Sequence, residues 1–178
     1  MKSFVLLLTL IRIFSGPLLF FTVLFFHENL LAFLIFVIAS ITDYLDGKLA
    51  RGYKVESSLG ATLDPIADKI LVLFALFTIT IATKDPFVGL ISSLILAREF
   101  WVSALREYAT KSSMSHLTKV TFLAKTKTTI QFLAIALFLL GFYLENALLI
   151  FLASFTLFLA LLISLKTALD YSAKVFKV

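Results

Sequence analysis

The sequence predicts an all-α integral membrane protein with six transmembrane helices and both termini cytoplasmic. Three observations lead there. The 178 residues are 61% hydrophobic with a mean hydropathy of +1.04, and Phe alone occurs 20 times; a soluble domain is usually about half apolar. Apolar stretches recur at about the 20 residues that a bilayer crossing needs. The basic residues gather at one set of the breaks between these stretches. No repeat, low-complexity tract or long linker divides the chain, so residues 1–178 read as one domain.

The first stretch, 4–26, follows Lys2 and a short apolar run like the start of a signal peptide. Arg12 interrupts that run and no small-residue cleavage site follows, which predicts a retained first helix. After "HEN", residues 30–50 form a second stretch that becomes charged towards its end. "RGYKVESS" leads to 59–82, polar at first and then continuously apolar from Ile70. "TKD" precedes 86–105. The longest break, "REYATKSSMSHLTK", separates this from 120–143, and "LEN" introduces 147–165.

Lys2, Lys48, Arg51, Lys54, Arg106, Lys111, Lys119, Lys166, Lys174 and Lys177 fall at one set of helix ends, against Lys84 at the other. By the positive-inside rule the first set is cytoplasmic. The net charge of +5 therefore reads as orientation and attraction to anionic membrane lipids, with no nucleic-acid partner. With no cysteine, disulfides and thiolate metal sites are excluded. His27 and His116 stand alone in separate breaks and are not expected to be ligands.

Against this apolar background residues 42–69, "TDYLDGKLARGYKVESSLGATLDPIADK", carry four aspartates. Asp43 and Asp46 are three apart and Asp64 and Asp68 four apart, so each pair shares a helix face. Asp43 is eight residues before Arg51, roughly 12 Å along the helix at 1.5 Å per residue. The second and third helices, joined by a short break, are expected to be antiparallel neighbours whose carboxylates converge in a polar site near the cytoplasmic face. Carboxylates gathered there repel unless cations neutralise them, and oxygen donors suit Mg²⁺, Mn²⁺ or Ca²⁺ rather than Zn²⁺ or Cu²⁺. Two such ions about 4 Å apart are a recurring device for displacement at phosphorus. The competing structural account pairs the acids with Lys48, Arg51 and Lys69. Gly47 and Ala50 share the face of the first pair, and Gly60 stands one turn before Asp64, allowing a ligand or helix to approach closely. Pro65 is expected in a first helical turn, where its missing N–H is tolerated.

These residues fit D-x2-D-G-x2-A-R-x8-G-x3-D-x3-D at every fixed position: Asp43, Asp46, Gly47, Ala50, Arg51, Gly60, Asp64 and Asp68. The pattern resembles that of the CDP-alcohol phosphatidyltransferase family. The resemblance implies a six-helix membrane enzyme, usually a homodimer, in which a CDP-linked lipid donates its phosphatidyl group to an alcohol and CMP leaves. It implies that Asp43, Asp46, Asp64 and Asp68 hold two divalent cations, Mg²⁺ or Mn²⁺, that Asp68 is also the general base, and that Gly47, Ala50, Arg51 and Gly60 line the CDP-lipid site. "LLTLIRI", "AREFWVSALREYA" (97–109) and "LAKTKTTIQFLAIALF" (123–138) resemble the bacterial branch that uses CDP-diacylglycerol and sn-glycerol 3-phosphate to make phosphatidylglycerophosphate. That branch implies residence in the bacterial inner (cytoplasmic) membrane, with the active site facing the cytoplasm.

The later segments also make sense from their charges. Arg98 interrupts an apolar helix, where a charge needs a partner. Arg106 follows about two turns on, and Lys125 and Lys127 begin the fifth helix near the same membrane face. A phosphate dianion on the acceptor would be matched by several such cations. Glu99 and Glu107 are the competing partners for the arginines, and lipid headgroups for the lysines; Arg12 and Lys119 are further candidates. Other acceptors, phosphatidylglycerol, inositol phosphate or serine, keep the same chemistry. A divalent-cation transporter is the reading from another class, but a conduction path should show polar residues at several depths.

Overall fold

The computed structural model describes residues 2–53, 58–112, 118 and 121–176, with the side chains of all of these except 2–6, 43–53, 58–62 and 64. Among them it forms six helices: α1 (Lys2–Leu24), α2 (Asn29–Tyr53), α3 (Ser58–Thr83), α4 (Pro86–Lys111), α5 (Phe122–Tyr143) and α6 (Ala147–Phe176). Five of them carry windows long and apolar enough to cross a membrane: Leu7–Leu24, Pro65–Thr83, Pro86–Lys111, Phe122–Tyr143 and Ala147–Phe176. The apolar part of α2 among the described side chains is Asn29–Thr42. Large apolar side chains such as Phe14, Phe25, Phe122 and Phe151 face outward, where a soluble protein would place polar groups.

Local chemistry sets the helix ends. Asp85 caps α4 by accepting from the Phe87 N–H at 2.8 Å, with Pro86 in the first turn. Thr121 caps α5 by accepting from Ala124 N–H at 3.2 Å, and Asn146 Oδ1 accepts from Leu148 and Leu149 at the start of α6. His27, Lys84 and Glu145 take left-handed φ values of 57°, 53° and 49° in the α1–α2, α3–α4 and α5–α6 turns. At the last of these, Asn146 N–H returns to Gly141 O at 3.0 Å and Glu145 N–H to Phe142 O at 3.4 Å. That closure commonly uses glycine where Glu145 stands.

The helices close into a ring in which α1 packs on α2 and α3, α3 on α4, α4 on α6, α6 on α5, and α5 back on α2. A further contact joins α3 and α5. Among the described residues α1 packs on both α2 and α3; the expected approach of α2 and α3 falls on their aspartate-bearing ends, whose side chains lie outside the described residues. The α1–α3 contact is close at Gly16, where an added Cβ would stand 3.2 Å from Ile70 O and 3.2 Å from the Phe74 ring. Glycine there lets α3 settle against α1.

The main core runs through Leu19, Phe36, Leu71, Leu76, Ile79, Ile91, Ile95, Ile135, Phe138 and Leu157. A second cluster joins Val102, Leu105 and Ala109 of α4 to Ala168, Tyr171 and Val175 of α6. It explains why α4 and α6 run past residues 105 and 165, where hydropathy alone ends them. Their extra turns bury one stripe against each other while Glu107, Lys111, Lys166 and Lys174 face away. Pro65 lies inside α3 rather than in its first turn, because the helix already begins at Ser58. Lacking an N–H, it leaves the carbonyl four residues earlier without its helical donor.

Candidate functional site

The site forms where α1, α3, α4 and α5 meet. Arg12 of α1 is almost completely enclosed, at 1% exposure, and its Nη1 donates to Asp68 Oδ1 of α3 at 2.9 Å. Placing a guanidinium in an apolar helix is costly unless it is paired, and Asp68 supplies that partner. The Asp68 side chain is 41% exposed and lines a cavity of about 230 Å³. Pro65 and Lys69 stand beside it on α3; Glu99, Phe100 and Arg106 of α4 and Lys127, Thr128 and Gln131 of α5 form facing walls.

A neighbouring cavity of about 350 Å³ is lined by Arg98, Glu99, Arg106, Lys125, Lys127, Thr128 and Thr129, with Ala124. Thus the four cations singled out in the sequence, Arg98, Arg106, Lys125 and Lys127, border one space. The two cavities share Glu99, Arg106, Lys127 and Thr128.

The cations are held differently. Arg98, 7% exposed, spends much of its fork on α6: Nε donates to Ser164 O at 2.9 Å and Nη2 to Thr167 Oγ1 at 2.6 Å. Its Nη1 reaches Glu99 Oε1 at 3.3 Å. Buried Lys127 also donates to Glu99 Oε1. Arg106 lies with its guanidinium carbon 5.5 Å from the Tyr171 ring centre, a cation–π distance; its Nε is buried without a hydrogen-bond partner among the described residues. Lys125 is exposed in the first turn of α5. Glu107 pairs with Lys111 at 2.7 Å on the surface, so the candidate counter-ion for Arg106 is engaged elsewhere.

Of the four aspartates, Asp68 has a described side chain. Asp43, Asp46 and Asp64, together with Gly47, Ala50, Arg51 and Gly60, belong to α2 and α3, but their side-chain surroundings lie outside the described residues. Among the described residues no group of three or more acids, histidines or cysteines is arranged to hold a metal. Lys119 and His116 also lie outside the described residues. From the sequence Glu99 is a candidate counter-ion for the arginines; the structure sets it in the wall of both cavities. Its visible signal was an acid beside a buried arginine in an apolar helix. Arg12 gave the same kind of signal, but its partner is 56 residues away.

The model of the CDP-alcohol phosphatidyltransferase family matches residues 6–165, and the chain belongs to that family. A Cereibacter sphaeroides protein named CDP-diacylglycerol--glycerol-3-phosphate 3-phosphatidyltransferase is 44% identical over 144 residues, covering 79% of this chain and 64% of that relative's length. A Rickettsia typhi protein of the same name is 43% identical over 145 residues, covering 79% of this chain and 78% of the relative. The Escherichia coli K12 protein of that name is 38% identical over 134 residues, covering 73% and 72%.

Proposed function

We propose that this chain transfers the phosphatidyl group of CDP-diacylglycerol to sn-glycerol 3-phosphate, giving phosphatidylglycerophosphate and CMP. The observation that carries the proposal is the wall that the two cavities share. Arg98, Arg106, Lys125 and Lys127 border one, Asp68 borders the other, and four residues belong to both. The first offers charge for an acceptor phosphate; the second offers a carboxylate for the acceptor hydroxyl. The names borne by the relatives agree with this choice of acceptor.

In this reading Asp68 takes the proton as the hydroxyl oxygen attacks phosphorus, and the phosphorus–oxygen bond to CMP breaks. Arg12 holds the Asp68 carboxylate in place. Gly47, Ala50, Arg51 and Gly60 accommodate the CDP portion of the donor. Asp43, Asp46, Asp64 and Asp68 form a hard, anionic oxygen donor set, which fits Mg²⁺ or Mn²⁺. Two such cations, when bound, neutralise the donor diphosphate. All six helices span the bacterial inner membrane, both termini and the site face the cytoplasm, and the enzyme works as a homodimer.

The test is incubation of the purified chain with CDP-diacylglycerol and a panel of labelled acceptors, followed by identification of the lipid product. Phosphatidylglycerophosphate with one CMP per lipid formed is expected. A product built on serine, inositol phosphate or phosphatidylglycerol, with none from glycerol 3-phosphate, would overturn the assignment. Divalent-cation flux in proteoliposomes with no CMP release would overturn the enzyme reading altogether.

A further inference from the structure

An acid in the wall of a phosphate site calls for a reason, because its charge opposes the phosphate it borders. Glu99 is that acid. The residue lines both cavities, and both of its protein contacts, from Arg98 Nη1 and Lys127 Nζ, converge on Oε1. Oε2 has no hydrogen bond among the described residues and is absent from the buried unsatisfied atoms.

Position gives the reason. Arg98 and Lys125 border the cationic cavity but not that of Asp68, while Asp68 and Lys69 border the second cavity but not the first. Glu99 stands on both walls. An acceptor with its phosphate among the cations and its attacking hydroxyl beside Asp68 must cross this junction. In sn-glycerol 3-phosphate those groups are at opposite ends of three carbons, and the remaining hydroxyl is on the middle one. We infer that Glu99 Oε2 accepts a hydrogen bond from the C2 hydroxyl of the acceptor, making Glu99 the residue that selects a glycerol phosphate over other phosphorylated alcohols. The inference rests on the acceptor reading above and deepens it. Its chemistry is consistent: a carboxylate only accepts, a hydroxyl donates, and Oε1 remains engaged with Arg98 and Lys127.

The test pairs a substrate deletion with a side-chain deletion. The full chain, in CDP-diacylglycerol mixed micelles, is assayed for kcat/KM with sn-glycerol 3-phosphate and with 3-hydroxypropyl phosphate, which lacks only the C2 hydroxyl. Wild type is expected to prefer glycerol 3-phosphate by about ten- to a hundredfold, the range for a hydrogen bond to a charged group. Glu99→Ala should bring that preference to within about threefold, and isosteric Glu99→Gln should reduce it to an intermediate value, since a neutral acceptor binds more weakly. The ratio is independent of the fraction of folded protein, so a purely structural role would lower both rates and leave the preference intact.

A wild type that uses the two acceptors equally would overturn the inference while leaving glycerol 3-phosphate as an acceptor. An unchanged preference in the active variants would do the same. Loss of folded protein or of both activities in Glu99→Gln and Glu99→Ala alike would assign Glu99 to holding Arg98 and Lys127, and overturn it. No product from either phosphate with wild type, but product from another alcohol, would instead remove the acceptor reading on which it rests.

Discussion

Arg98→Ala and Lys125→Ala should separate two roles that the sequence groups together. Arg98 is buried and binds α6 through Ser164 O and Thr167 Oγ1. Truncation removes these two hydrogen bonds to α6, about 1.5–3 kcal/mol each, along with the longer contact to Glu99. Part of this is offset because the guanidinium no longer has to be desolvated. A net loss of about 2–4 kcal/mol follows, concentrated where α4 and α6 share Leu105, Ala109, Ala168 and Tyr171. Lys125 is exposed and has no ion pair among the described residues. Its removal should leave the melting temperature unchanged and raise the KM for glycerol 3-phosphate about two- to fivefold, as expected for a solvated charge pair worth up to about 1 kcal/mol. Thermal melts in detergent and CMP release at saturating CDP-diacylglycerol measure the two effects. An Arg98→Ala protein that melts like wild type would refute the anchoring role. An unchanged KM for Lys125→Ala at low salt would refute its place in the acceptor site.

Asp68→Asn should remain folded yet release CMP at least about 100-fold more slowly, the lower end for losing a positioned acid–base group; single-turnover CMP release on protein shown to bind CDP-diacylglycerol checks this. Activity should vanish in EDTA and return with Mg²⁺ or Mn²⁺, measured as CMP release after chelation and readdition. Glu145→Gly should raise the melting temperature, by about 0.5–1 kcal/mol of stability, because Glu145 holds a left-handed φ of 49° at the end of α5.

The helices were legible because lipid is a demanding solvent. A span must stay apolar over its whole length, and α1, α3 and α5 begin and end within a few residues of the hydropathy limits. The last turns of α4 and α6 were hidden from hydropathy because their stability comes from one narrow shared stripe. Tyr171 and Val175, four apart, show that stripe in retrospect. The order of helices around the ring was less legible: it depends on close fits such as Gly16 against Ile70 and Phe74, and a lone glycine in a sequence does not name its neighbour.

For the site, lone charges in apolar helices were informative because each must find a partner or a ligand. That reasoning found Arg98, Arg106, Lys125 and Lys127, which border one cavity. It could not divide their labour. Arg98 directs its fork largely at neutral oxygens of α6, whereas Lys127 meets the carboxylate of Glu99. Neither the Arg12–Asp68 pair nor the junction at Glu99 follows from spacing along one helix, since each joins elements brought together by the ring.

The same division bears on whether this space serves an anion or a cation. Arg98 is balanced partly by oxygens without net charge, and Glu99 supplies one negative charge between it and Lys127. Arg106 is packed on an aromatic ring with Nε unpartnered, and Lys125 faces outward. Among the described residues this cavity's walls therefore carry more positive than negative charge, Arg98, Arg106, Lys125 and Lys127 against Glu99. A divalent cation passing through the cavity of Arg98, Lys125 and Lys127, away from the aspartates proposed to hold Mg²⁺ or Mn²⁺, would meet these positive groups at a Coulomb cost of about 4 kcal/mol for each unit pair at 4 Å and an effective dielectric of 20. A phosphate at the same walls gains what the cation loses, which favours the proposed acceptor site over an ion path.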